Sequence, residues 1–145
     1  MQGFRIASVE KNSFELLITI VLNLRYHPRC GRCNTPGDYR DTQDERRFRH
    51  VPLWGIPVTL VYAPCRVTCP CCHSVLVENM PWAAGKKRLT KAFAVTIATW
   101  AKMLPWLQVA RLFHCSWCTV AASVPEPFCP VRPGLTARRS KLHKG

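Results

Sequence analysis

Carboxylates are scarce in this chain. Eight Asp and Glu stand against twenty-one Lys and Arg, for a net charge of +13. Residues 79–145 hold eleven basic side chains and one acid, Glu126, whereas residues 1–78 hold ten against seven. Four of the acids, Asp38, Asp41, Asp44 and Glu45, lie in one polar stretch, which reads as a solvated turn rather than a metal-ion catalyst. A glycine-rich phosphate loop, an HExxH pair and a serine triad are all missing, which excludes the common nucleotide-binding, zinc-protease and serine-hydrolase chemistries. Long apolar runs are missing too. The run from Phe14 to Leu24 is interrupted by Glu15 and Asn23, and no stretch reaches the ~18 apolar residues of a membrane span. No small-residue cleavage site follows it, so it does not read as a secretory signal. The expected location is the reducing cytoplasm.

What the chain has in abundance is proline and cysteine, twelve and nine of them in 145 residues. The prolines cut it into short elements. The cysteines pose a choice between disulfides and metal, and an odd count in a reducing compartment favours metal. Four of them form two tight pairs, Cys30-Gly31-Arg32-Cys33 and Cys69-Pro70-Cys71-Cys72. Two residues between two cysteines let one turn aim both sulfurs at one ion, and two such turns complete a tetrahedral four-sulfur site, the geometry of structural zinc. Such a site leaves no open position, so it builds structure rather than doing chemistry. The predicted ligands are Cys30, Cys33, Cys69 and Cys72. Cys65 and Cys71 are set aside because they break the matched spacing, and His50 and His73 are the alternative ligands. A third pair, Cys115-Ser116-Trp117-Cys118, has the spacing of a redox dithiol or a second metal site, but no βαβ pattern surrounds it.

The pattern predicts an α+β fold: a small strand-rich, zinc-ribbon-like module over residues 1–80, a three-helix helix-turn-helix segment over 81–124, and a disordered, proline-rich basic tail over 125–145. Strands are expected at 4–9 and 14–26 around a polar turn at 10–13, at Arg49–Leu53 and Val58–Ala63 joined at Gly55-Ile56-Pro57, and at Val75–Glu78. Residues 34–47 are expected to be a loop. Thr90 is placed as the cap of a first helix, with Phe93, Ile97, Trp100, Ala101 and Leu104 near helical spacing. Pro105 suits the first turn of a second helix, Trp106–Phe113, and Ser116 caps a third, Trp117–Val124.

The basic second half points to a polyanion, nucleic acid before membrane. Lys86, Lys87, Arg88 and Lys91 cluster at the start of the first helix and are the candidate phosphate contacts. Ser116, Trp117, Thr119 and Ser123 are the candidate contacts from the third helix, although Ser and Thr specify bases only weakly. Trp100, Trp106 and Trp117 also read as the core of a helical bundle. On that view the chain is a zinc-stabilised protein-interaction module without a DNA role.

The order of these motifs resembles the N-terminal region of the ISL-three family of bacterial insertion-sequence transposases. The resemblance runs through Cys30-x-x-Cys33, Arg49-His50-Val51-Pro52-Leu53-Trp54-Gly55, Arg66-Val67-Thr68-Cys69-Pro70-Cys71-Cys72, Pro81-Trp82-Ala83 and Arg88-Leu89-Thr90, and then Trp106 to Val120. It covers roughly residues 15–124. It implies a four-cysteine zinc finger followed by a helix-turn-helix that grips the terminal repeats of a transposon. His73 departs from the family's usual glycine, and Cys115 and Cys118 from its polar or small residues. In the family a DDE-type catalytic domain follows, whereas the segment from Pro125 does not resemble that continuation. The expectation is therefore a non-catalytic, truncated or frame-shifted transposase fragment, with self-association or association with an intact transposase as further partners.

Overall fold

β-branched and aliphatic side chains fill Leu16–Leu22, and this segment is an inner strand of the larger of two sheets. The computed structural model describes residues 3–83 and 87–124. They form an α+β fold of seven strands and three helices. The strands are β1 (Phe4–Lys11), β2 (Leu16–Leu22), β3 (Asp38–Thr42), β4 (Arg46–Leu53), β5 (Ile56–Tyr62), β6 (Cys65–Cys69) and β7 (Ser74–Val77); the helices are α1 (Lys91–Trp100), α2 (Trp106–Leu112) and α3 (Trp117–Ser123). The larger sheet has the order β1-β2-β5-β4, with β2 and β5 parallel and the other pairs antiparallel. The smaller, antiparallel sheet has the order β3-β6-β7.

Local chemistry sets the turns. Asn12 Oδ1 accepts from the backbone N–H groups of Phe14 and Glu15, at 2.9 and 2.7 Å, and folds the chain from β1 into β2. The β4–β5 hairpin turns on Trp54 and Gly55, both at positive φ (50° and 76°), as a type I′ turn requires. The turn therefore comes before the expected Gly55-Ile56-Pro57, and Ile56 and Pro57 already belong to β5.

Other differences from the expected pattern have similar causes. The second strand stops at Leu22 rather than residue 26, where Asn23 starts a turn closed by Tyr26 N–H to Asn23 O (2.9 Å). The expected loop 34–47 contains β3 and the start of β4, because Asp38–Thr42 pairs with β6 and Asp41 forms an ion pair with Arg66. Cys65–Cys69 was not expected as a strand, yet Cys65, Val67 and Cys69 are buried while Arg66 and Thr68 are not, which is strand alternation. Helix α1 ends at Trp100 rather than Leu104, with Ala101 as its C-cap, and turns lead from there to Pro105.

Both predicted caps form. Thr90 Oγ1 accepts from Phe93 N–H at 3.3 Å and Ser116 Oγ from Thr119 N–H at 3.2 Å. Helix α2 closes on His114 at φ 49°, with Cys115 N–H donating to Ala110 O (2.9 Å) and His114 N–H to Arg111 O (3.3 Å). This is a Schellman arrangement with histidine in the left-handed position that glycine usually takes.

Three clusters hold these elements. Ile20, Phe48, Val58, Leu60, Tyr62, Met80, Trp82 and Ala83 form the core of the large sheet, with Phe4, Phe48 and Tyr62 set edge-on to Trp82. Phe93, Ile97, Val109, Ala110, Phe113 and Val120 unite the three helices. Cys30, Cys65, Val67 and Cys69 form a small third cluster under the β3-β6-β7 sheet.

The helices are fastened to β4. Leu89 bridges Arg49 in parallel, through Arg49 N–H to Arg88 O and Thr90 N–H to Arg49 O, each 2.9 Å. The Arg49 guanidinium donates to Phe113 O (2.8 Å) and His114 O (3.0 Å) and lies 5.5 Å from the Phe93 ring centre. His50 Nδ1 sits 2.8 Å from Thr90 Oγ1. No helix among the described residues is long and apolar enough to cross a membrane. Lys86 and the expected disordered tail at 125–145 lie outside the described residues.

Candidate metal centre

The two cysteine pairs are brought together by the small sheet. The second pair occupies the turn between β6 and β7, which Cys69 and Ser74 close as paired residues. The first is hung on the far end of the same hairpin: Cys30 bridges Glu78, and Gly31 N–H donates to Val77 O at 3.1 Å. Gly31 is required there, since a Cβ at that position would collide with the Val77 carbonyl oxygen. Each turn then needs a residue at positive φ after its second cysteine. Asn34 (59°) and His73 (51°) fill those positions, where both residue types are tolerated better than most.

The result is one cluster. The sulfurs of Cys30, Cys33, Cys69 and Cys72 all lie within 4.8 Å of one another. Cys30 and Cys72 are 4.0 Å apart, and Cys33 and Cys69 3.4 Å. A tetrahedral ion with ~2.3 Å bonds to sulfur needs its ligands ~3.8 Å apart, so the spacing fits such an ion with little adjustment. Backbone N–H groups already point at two of the sulfurs, Arg32 to Cys30 (3.4 Å) and Cys72 to Cys69 (3.3 Å). Four soft thiolates with no open position suit a structural ion such as zinc.

Electrostatics within the cluster is uneven. The Thr35 hydroxyl, 3.3 Å from Cys33 Sγ, and the Thr35 backbone lower the Cys33 thiol to about 6. Burial pushes the Cys30 thiol up, but hydrogen bonds from the Cys33 and Arg32 backbone outweigh it and the net shift is downward. Cys72 is pushed up to about 12, chiefly by its contact with Cys33. Four thiolates this close repel one another, and a cation resolves the conflict.

The remaining cysteines separate from this group. Cys65 is buried beside it, but burial and the neighbouring Glu78 carboxylate push its thiol up to about 12. Glu78 is itself buried. It accepts from the Tyr62 hydroxyl and from Cys65 N–H (2.9 Å). Cys71 is exposed, and the charge of Cys33 raises its thiol. Burial raises the Cys115 thiol, the opposite of what an activated redox cysteine needs. None of the eight described cysteines is in a disulfide. His50 is engaged with Thr90, and neither it nor His73 joins the cluster.

The residues expected to meet DNA divide into two groups. Lys87, Arg88, Thr119 and Ser123 line one groove of about 350 Å³, together with Arg49, Leu89, Ala94, Cys118 and Ala122. Lys87 Nζ donates to Ala122 O across it (3.3 Å). Lys91 is exposed on the first turn of α1. Trp117 is half-buried against the Trp106 ring, 5.4 Å between centres. The hydroxyls of α3 are used within the helix: Ser116 Oγ caps Thr119 N–H and sits 3.0 Å from Thr119 Oγ1, and Ser123 donates to Thr119 O (2.7 Å). Arg49, which also lines this groove, is not among the expected site residues. Its signal was a charged side chain on a strand whose neighbours Phe48 and Val51 face two different cores.

No family model, characterised protein or solved structure matches this chain.

Proposed function

We propose that this chain is a zinc-stapled DNA-binding head of the insertion-sequence transposase kind, which grips transposon-end DNA and leaves strand cleavage to a separate catalytic domain. Zinc is the proposed ion because the donor set is four cysteine sulfurs within 4.8 Å of one another, the ligand type and number that structural zinc takes. The observation that carries the DNA reading is the groove that joins Lys87 and Arg88, on the segment beside β4, to Thr119 and Ser123 on α3. On this reading α2 and α3 act as a helix-turn-helix, and the basic residues set its register on the phosphates. The internally bonded hydroxyls of α3 leave base readout to few contacts, so phosphate contacts supply most of the affinity.

Fluorescence anisotropy with duplexes ending in transposon terminal repeats tests this reading. Lys87, Arg88 and Lys91 should give a salt slope of about −2.7, near −0.9 per phosphate. Lys87→Ala and Arg88→Ala should each flatten it by about one such step. Absence of binding at low salt, or a slope unmoved by both changes, refutes the DNA role; equal affinity for scrambled duplexes removes the sequence preference.

A zinc-stabilised protein-interaction module is the second reading. It draws on Val95, Trp100, Met103, Leu107 and Leu112, which α1, α2 and the turn between them expose. Binding through those side chains would be nearly insensitive to salt.

A further inference from the structure

Strand β1 is the outermost strand of the large sheet, and seven of its eight residues are exposed. One of its edges pairs with β2; the other has no strand beside it among the described residues. Its sequence is self-complementary in a way that depends on a bulge. The register with β2 shifts between Ile6 and Ser8, so Ala7 is the extra residue. Before the bulge, Phe4 and Ile6 lie opposite Leu22 and Ile20; after it, Val9 and Lys11 lie opposite Ile18 and Leu16. These four share the sheet face that carries the Ile20 core. Arg5, Ser8 and Glu10 share the other face, opposite Val21, Thr19 and Leu17. Without the extra residue, Ile6 and Val9 would fall on opposite faces, and so would Arg5 and Glu10.

We propose that the free edge of β1 pairs antiparallel with β1 of a second copy of this chain, about a two-fold axis at Ser8. In that register Arg5 faces Glu10 of the second copy, and Ile6 faces Val9 of the second copy, twice each by symmetry. Ile6 and Val9 are 57% and 56% exposed, and the pairing covers both on the apolar face. Arg5 and Glu10 form no ion pair among the described residues. Charges on an edge strand ordinarily repel foreign strands; this register satisfies both, and only a partner with the same spacing offers it. Two further exposed apolar side chains, Phe14 and Leu24, flank the ends of β1. The antiparallel arrangement brings Phe14 of one copy to the same end of the joint as Leu24 of the other. A joint of two eight-residue strands is smaller than a typical stable interface, so the dimer is weak. The inference does not depend on the DNA reading.

Sedimentation equilibrium of the full chain at low ionic strength tests it, using Arg5→Glu, Glu10→Arg and an equimolar mixture of the two. Each single reversal places like charges opposite each other twice and should weaken the dimer about tenfold. The mixture restores opposite charges at both positions and should return the affinity to that of the parent chain, as a heterodimer. The two reversals move net charge in opposite directions, so weakening in both separates the pairing from bulk repulsion. A chain that stays monomeric overturns the proposal, including the case in which its own residues 125–145 cover the edge. A dimer indifferent to both reversals, or a mixture that fails to restore it, places any self-association elsewhere and overturns the proposal equally.

Discussion

Removing the metal should unfold the small sheet and leave the large one standing. The cluster beneath β3, β6 and β7 contains Cys30, Cys65, Val67 and Cys69, with Leu22, Cys72 and Leu76 at its margin. Val67 is its one fully buried aliphatic side chain, worth about 1.5–3 kcal/mol. A structural zinc ion contributes about 10–16 kcal/mol, comparable to or larger than the ~5–15 kcal/mol that separates a whole domain from its unfolded state. The local core cannot replace that. The core cluster against the large sheet differs, because its eight buried residues include Phe48, Tyr62 and Trp82 and no candidate metal ligand. Hydrogen exchange read by mass spectrometry, with and without chelator, distinguishes the two. The expected outcome is loss of protection across β3, β6 and β7 and retention in β2 and β5. Cys69→Ser should reproduce the chelator pattern, and Cys118→Ser, outside the cluster, should not. Equal protection of the small sheet in both conditions would refute the reasoning, since the cysteines would then be ordinary buried thiols.

Three further outcomes follow from the joints between elements. Arg49→Ala removes two charge-assisted hydrogen bonds and a ring contact that fasten the end of α2 to β4; it should cost about 2–4 kcal/mol, seen as faster exchange in α2 and α3 with β2 and β5 unchanged. Trp54→Asn should stabilise the chain by about 1 kcal/mol in thermal denaturation, because Trp54 holds φ 50° while 90% exposed and asparagine adopts that region more readily. Burial lowers the His50 pKa below 6.5, so the fold favours neutral imidazole; its stabilisation is complete above 6.5 and declines as pH falls through the folded value. His50→Gln should flatten the acid limb of a denaturant series run across that window.

The cluster was legible in the sequence because its signal is local. Two matched spacings name Cys30, Cys33, Cys69 and Cys72 while excluding Cys65 and Cys71, and the helix caps Thr90 and Ser116 were equally readable from neighbouring residues. What escaped depends on distant partners. Asp38–Thr42 has the composition of a loop and is a strand only because β6 lies beside it and Arg66 meets Asp41. Cys65–Cys69 alternates as a strand, but its cysteines drew the reading toward ligands. Arg49 gives no local hint that its guanidinium reaches the carbonyls of Phe113 and His114, more than sixty residues away. The type I′ turn was misplaced by one residue because tryptophan is a poor candidate for positive φ.

The pH dependence of metal retention follows from the same site. Four thiols must lose their protons to hold the ion, so the bound form is favoured at high pH and the metal should leave as pH falls. A chromophoric chelator followed through an acid titration checks the direction, and release on raising the pH would be the wrong sign.

Cobalt titration of the metal-free chain tests the central claim most directly. One equivalent should bind, with tetrahedral ligand-field bands and thiolate charge transfer; Cys69→Ser should abolish that signature, and Cys65→Ser and Cys115→Ser should keep it. A chain that binds no cobalt, or one whose signal depends on Cys65 or Cys115 rather than Cys69, would contradict it.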